Sequence, residues 1–191
     1  MHHYHTMTDG ELVCHFRSGE EQAFETLLNR YKNDVFSTIY YLVRDRELAE
    51  DLFQDTFVRI ISKLQDGRYK EEGKFKPWAL RIAHNIVIDY FRKDNRMKMV
   101  RENEECSPFD YMFDNNRNPE QEIIYNEKTM MVRELIEDLP DLQREMIILR
   151  HYAGLSFKEI SDMLHININT ALSRMHAAVI ALDRKSTRLN S

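Results

Sequence analysis

Apolar side chains recur along most of the chain at intervals of three and four residues, the spacing that lines one side of an α-helix. The pattern predicts helices over 8–17 and 20–43, the second with Ala23, Phe24, Leu27, Leu28 and Tyr31 on one face. A long helix over 46–64 carries Leu48, Leu52, Phe53, Phe57, Ile60, Ile61 and Leu64 as its stripe. A polar stretch from Gln65 to Lys74 interrupts it. Helix resumes near Pro77, a residue suited to a first turn, and runs to about Arg96 with Trp78, Ile82, Ile86 and Tyr90 inward. Over 99–119 the period is lost among Pro108, Pro119, an acidic run and an Asn pair, which reads as a linker. The helical period returns from Glu120 through Ile136, and a further block spans Leu139 to Leu182. No stretch reads as a strand or an internal repeat. The expected fold is all-α: two small helical domains, 8–98 and 120–183, joined by an acidic linker.

The second domain contains a helix-turn-helix pattern. Ser156 and Glu159 have capping-box spacing, and Leu155 and Ile160 occupy the two positions of a hydrophobic staple. Gly154 permits a sharp turn before them. A short helix is therefore expected from Ser156 to Leu164, then a tight turn at His165-Ile166-Asn167, with Asn167 capping the next helix. Ile168, Ala171, Met175, Ala178 and Leu182 should face the core. That leaves Asn169, Thr170, Leu172, Ser173 and His176 outward at the end of the helix that such a unit inserts into the major groove. Asn can bond adenine, Ser and Thr several bases, and Leu a thymine methyl. Arg174 and the free N–H groups at the helix start can hold phosphates. An ordinary pair of packed helices is the competing reading of this block.

Charge changes the picture through its distribution. The chain carries 27 basic and 32 acidic residues, a net of -5. Residues 1–100 balance at 16 and 16, residues 101–140 hold 4 basic against 11 acidic, and residues 141–191 hold 7 against 5. The excess negative charge thus sits mid-chain, and the flanks remain free to approach a polyanion. Five Gly and four Pro in 191 residues are too few for a turn-rich β fold. No apolar run approaches the ~18 residues that cross a bilayer, and the N-terminus lacks a signal-peptide layout. A cytoplasmic protein without membrane insertion is expected. Cys14 and Cys106 have no metal-ligand spacing and are expected to be free thiols. Without a Gly-rich phosphate loop, a His pair with a carboxylate or a nucleophile motif, the chain reads as no enzyme, with no cofactor and no metal.

Two stretches of the first domain sharpen the reading. In Asp45 to Phe57, burial of the apolar stripe leaves Glu50, Asp51, Gln54 and Asp55 on one exposed face; a merely solvated helix side is the plainer alternative. Between Arg68 and Lys98 there are 9 basic and 4 acidic residues, interleaved with Tyr69, Phe75, Tyr90 and Phe91. Basic groups mixed with aromatic rings can form a platform for phosphates and unstacked bases. For Trp78, core packing is the preferred alternative.

Together with the helix-turn-helix block, these stretches resemble the extracytoplasmic-function (ECF) sigma factors from about Thr8 to Leu182. The residues that carry the resemblance are Ala49 to Phe57, Trp78 to Asn85, Leu139 to Leu149 and Gly154 to Ser161, with Ser161 where Ala is usual. Their wording is similar to members from Bacteroidetes. The resemblance implies a sigma region 2 bundle over 8–98 and a sigma region 4 helix-turn-helix over 120–183. Glu50, Asp51, Gln54 and Asp55 would bind core RNA polymerase. The loop from Tyr69 through Lys74 and Phe75 to Lys76, with Asn85 on the following helix, would open the minus-ten element of promoter DNA and hold one flipped base. Arg92, Lys93 and Arg96 would follow the strand backbone. The surface from Asn167 and Asn169 to His176 would read the minus-thirty-five element. The acidic linker would thread a basic polymerase channel, and an anti-sigma factor is implied as a further partner. Leu172 and Asn169 stand where many members have a basic residue and Gly, so base preferences do not transfer. The tail Asp183 to Ser191 drops the apolar repeat and reads as truncated or foreign, ending the last helix near Leu182. The alternative from another class is a stand-alone helix-turn-helix transcription regulator.

Overall fold

A computed structural model of the chain describes residues 4–99, 135–136 and 138–189, the side chains of 94–99, 186, 188 and 189 excepted. Among the described residues there are seven α-helices and no strand. Backbone proximity divides the chain into two compact units, Met1–Tyr90 and Phe91–Ser191. The expected linker, the helix over 120–134 and Cys106 lie outside the described residues.

The first unit opens with a 3-10 turn, Tyr4–Thr6, followed by α1, Asp9–Arg17. Thr8 caps α1 reciprocally: its hydroxyl accepts from the Glu11 N–H at 3.3 Å, and its own N–H donates to the Glu11 carboxylate at 2.7 Å. Helix α2, Glu21–Val43, ends at Arg44, whose φ of 58° lets the chain reverse. Asp45 then caps α3, Arg46–Gln65, by accepting from the Leu48 N–H at 3.0 Å. Helices α1 and α3 pack on α2. Leu12, Leu27, Ile39, Leu42, Ile60, Leu64 and Leu80 are almost wholly removed from water. Each is a site where truncation to Ala costs about 2–5 kcal/mol.

Helix α4, Phe75–Met99, starts two residues before Pro77. The proline remains in the first turn, where N–H groups have no partner within the helix. Ile82 and Ile86 are buried as expected, but Tyr90 is 37% exposed. Steps of four residues drift around a helix of 3.6 residues per turn, so the fourth member leaves the face. Phe91, only 8% exposed, is buried instead, alongside Ala83 and Val87.

In the second unit, α5, Asp141–Ile147, runs into a π-helical turn, Ile148–Tyr152. Gly154, at φ 69°, turns the chain into α6, Phe157–Leu164. His165 takes φ 55° and leads to α7, Ile168–Leu189. Ile136, Leu139, Ile147 and Ala178 form a core, flanked by Tyr152, Met175, Ala181 and Leu182. Arg144 is buried beside α5's first residue, its Nη2 2.5 Å from the Asp141 carboxylate.

Helix α7 does not stop near Leu182; it continues to Leu189. The Lys185 ammonium donates to the Asp138 carbonyl at 2.8 Å and lies 3.3 Å from its carboxylate. Basic side chains also suit the negative end of a helix dipole. Polar tethers thus extend the helix where the apolar stripe has run out.

Candidate nucleic-acid interface

The helix-turn-helix forms as its local chemistry dictates. The Ser156 N–H donates to the Glu159 carboxylate at 2.7 Å, and the Glu159 N–H donates to the Ser156 hydroxyl at 3.3 Å. Leu155 and Ile160 are both buried on either side of this cap. The turn closes through the Ile166 N–H to the Ser161 carbonyl at 3.1 Å. Asn167 caps α7, its side-chain oxygen accepting from the Asn169 N–H at 2.8 Å. Ala171 and Ala178 are fully buried, which fixes the rotation of α7 and turns Asn169, Thr170, Leu172, Ser173 and His176 to solvent. Arg174 is half-buried on the flank.

Ile168 departs from expectation: it is 43% exposed, not in the core. As the first residue of α7 it precedes the first buried position, Ala171, by nearly a full turn. With Leu172, 44% exposed and four residues on, it forms an apolar pair on the outward surface.

The loop before α4 also differs. Tyr69 and Phe75 are 3% and 1% exposed, so their ring faces are not available for stacking bases at the surface. They belong to an aromatic cluster instead. Tyr69 lies 4.6 Å from Trp78 and 5.7 Å from Phe75 between ring centroids, and Phe75 lies 5.5 Å from Tyr31. Removing such large apolar surfaces from water outweighs leaving them as an open platform. Phe91 is likewise buried. Lys76 is half-buried and paired with Asp34 at 2.8 Å, so its charge is already countered. Lys74, Asn85, Arg92 and Lys93 are exposed, as are Arg68 and Lys70; the Arg96 side chain is outside the described residues. Asp66, Glu71 and Glu72 are exposed beside Arg68, Lys70 and Lys74, and Arg68 lies 3.7 Å from the Asp66 carboxylate, so the loop's outward surface is polar and mixed in charge, on an aromatic foundation.

That foundation carries part-buried hydroxyls. The Tyr69 hydroxyl donates to Glu71 at 2.9 Å, and the Tyr31 hydroxyl donates to Asp9 at 2.6 Å. Burial first, then the carboxylate partner, pushes the Tyr31 pKa up to about 12 and raises that of Tyr69 further. Arg30 pairs with the other Asp9 oxygen and donates to the Met7 carbonyl at 2.9 Å. An open cleft of about 520 Å³ lies here, lined in part by Asp9, Gly10, Arg30, Tyr31, Glu71 and Gly73. Sequence reasoning missed this α1–α2 contribution. Its members lie far from the loop in sequence, and no local pattern links them.

On α3, Ala49, Leu52 and Thr56 are buried, and Glu50, Asp51, Gln54 and Asp55 are all exposed. Arg46 reaches Glu50 at 2.9 Å, one turn along. Val58 continues the Asp51, Gln54, Asp55 surface by one more turn and is 66% exposed, an apolar spot at the edge of an acidic face. No described helix is long and apolar enough to cross a membrane.

Two family models match the chain: Sigma-70 region 2 over residues 27–97 and Sigma-70, region 4 over residues 129–182. Among curated relatives, the RNA polymerase sigma-H factor of Pseudomonas aeruginosa is 26% identical over 180 residues, covering 92% of each chain. The ECF RNA polymerase sigma factor SigW of Bacillus subtilis is 28% identical over 173 residues, 88% of this chain and 91% of its own. The ECF sigma factor BldN of Streptomyces coelicolor is 30% identical over 91% of this chain and 64% of its own. Among solved structures, the sigma factor RpoE from Bartonella quintana, in complex with the anti-sigma factor NepR, shares the fold. Its TM-score is 0.66 at 22% identity, over 84% of this chain and 94% of that one. The region 2 match occupies the block where a stand-alone regulator would need a ligand pocket or dimer face, and that alternative is not favoured. With region 2 and region 4 in order along most of its length, and with relatives aligned nearly end to end, the chain belongs to the sigma-70 family of RNA polymerase sigma factors, in its ECF group.

Proposed function

We propose that the chain binds core RNA polymerase through the exposed acidic face of α3 and directs it to promoters read at two separate places. The observation that carries this reading is the pairing, in one chain, of that polar helix face with a capped helix-turn-helix whose outward surface is short, polar and partly apolar. Glu50, Asp51, Gln54 and Asp55 serve as the polymerase contact. The loop Asp66–Lys74, with Lys74, Asn85, Arg92 and Lys93, meets the minus-ten element as it opens. Asn167, Asn169, Thr170, Leu172, Ser173, Arg174 and His176 face the minus-thirty-five element, and Ile168 joins them.

The domain division at 8–98, 99–119 and 120–183 belongs to the same reading, with the acidic middle as a strap between two DNA-binding units. The chain supplies no catalytic group; bond formation is the polymerase's. It acts where the polymerase acts, in the cytoplasm. An anti-sigma protein is the natural restraint, since RpoE from Bartonella quintana was solved with one. An origin among Bacteroidetes rests on motif wording alone.

Run-off transcription tests the whole. Added to sigma-free core enzyme with a random promoter library, the chain should produce RNA from a discrete set of start sites. Retention by core enzyme should be lost on Asp51→Arg. Tight binding to duplex DNA without polymerase, with no start-site-specific RNA, would overturn the proposal.

A further inference from the structure

The loop between α3 and α4 is held from behind by α1, and nothing in the loop's own sequence announces it. Arg17, the last residue of α1, donates from Nε to the Leu64 carbonyl at 2.9 Å and from Nη2 to the Tyr69 carbonyl at 2.8 Å. One guanidinium thus ties the last turn of α3 to the middle of the loop. Bonds from a charged donor are the stronger kind. At the other end of α1, Gly10 lies against Glu71: a Cβ there would stand 2.8 Å from the Glu71 Cγ, closer than real contacts allow. Glu71 in turn accepts from the Tyr69 hydroxyl at 2.9 Å and from the Gly73 N–H at 2.6 Å, closing the second half of the loop.

We propose that α1 is a positioning element for promoter opening, with Arg17 and Gly10 as positioning residues that hold the loop Asp66–Lys74 in its DNA-meeting shape. The inference rests on the reading of that loop given above. Its backbone is held by these bonds while Lys70 and Lys74 stay exposed, as do Arg68 and its partner Asp66. A loop ordered in advance surrenders little conformational freedom when DNA arrives. More of the contact energy then remains to offset unstacking and unpairing of a base.

Trp78 is the only tryptophan and touches Tyr69, so its emission reports where the loop lies. Four full-length variants, Arg17→Met, Arg17→Lys, Gly10→Ala and Lys74→Glu, are compared with the wild-type chain. Three quantities are measured: acrylamide quenching of Trp78 in the free protein, affinity for core polymerase, and the rate of open-complex formation on a duplex promoter selected with the wild-type chain. Arg17→Met should expose Trp78 to quencher and slow opening about tenfold, the scale of one charged hydrogen bond, with core affinity unchanged. Arg17→Lys should recover part of the loss. Gly10→Ala should also slow opening. Its melting temperature is measured alongside, and slower opening without a lower melting temperature separates positioning from folding. Opening that is unaffected by Arg17→Met, whether or not quenching rises, overturns the inference. If Lys74→Glu then slows opening, the reading of the loop survives; if it too has no effect, that reading falls as well.

Discussion

At the scale of single residues, exposure and partners separate the side chains that can meet a macromolecule from those that shape the surface. Asp51 is exposed on a helix whose opposite side is buried. Asp51→Arg should therefore leave thermal stability within about 0.5 kcal/mol of wild type while abolishing retention by core polymerase, measured by co-purification. His176→Ala should alter which upstream elements are used, read by sequencing transcripts from a promoter library. The part-buried hydroxyls give a pH signature. Tyr31 ordinarily ionises near 10, and its folded value is about 12. The folded state thus prefers the neutral phenol: this contribution to stability is fully present below pH 10 and is lost progressively as pH rises toward 12. Tyr69 acts in the same direction. Thermal unfolding followed from pH 7 to 12 should show a plateau and then a fall, and Tyr31→Phe should soften the fall. Sequence alone sets Tyr69 and Phe75 outward as a stacking platform, and both are buried, one in the loop and one at the start of α4. Periodicity identifies faces on helices, and a nine-residue loop has no period to read. Arg17 was invisible for a related reason, since its partners are backbone carbonyls 47 and 52 residues away.

At the scale of elements, what was legible in the sequence was whatever is encoded within a few residues. The Ser156-Glu159 cap and the Asn167 cap involve partners three residues apart or fewer, the Gly154 turn needs only the glycine's own positive φ, and all three form. Ser156→Ala should cost about 1 kcal/mol, seen as a lower melting temperature. The same change should weaken upstream-element binding more than minus-ten engagement. His165 holds a left-handed conformation that an L side chain adopts at a penalty. His165→Gly should accordingly stabilise the second unit by up to about 1 kcal/mol, measured by denaturant unfolding. Helix ends were less legible where polar contacts decide them. The extension of α7 past Leu182 depends on Lys185 meeting Asp138, 47 residues earlier, and an apolar stripe carries no trace of such a bond. Ile168 shows the same limit from the other side. It fits the spacing of the stripe, yet it sits at the first residue of α7, before the helix has made its first buried contact.

At the scale of the whole molecule, charge is partitioned. Residues 101–140 hold all of the excess negative charge, and the stretches 1–100 and 141–191 are near balance. A net charge of -5 therefore describes neither of the surfaces proposed to meet DNA. Arg92→Glu combined with Lys93→Glu should weaken engagement on every promoter alike. It should also reduce the slope of log affinity against log salt by about two, one for each lost phosphate contact, read from binding of holoenzyme at several salt concentrations. Undiminished transcription from that double variant would remove these two side chains from the interface. The all-α class and the two-block layout were readable because helical periodicity is dense in both blocks, and the family models match over 27–97 and 129–182, within them.

Val58 is an isoleucine-like stub left in water one turn beyond Asp55, 66% exposed. If the α3 face docks as proposed, covering that side chain releases water from an apolar surface, and such burial lowers the heat capacity of the bound state. Its contribution does not fade as ions are added. The carboxylates beside it weaken their hold as salt is added, so Val58→Ser should make the grip on the polymerase more sensitive to ionic strength than it is in the wild-type chain.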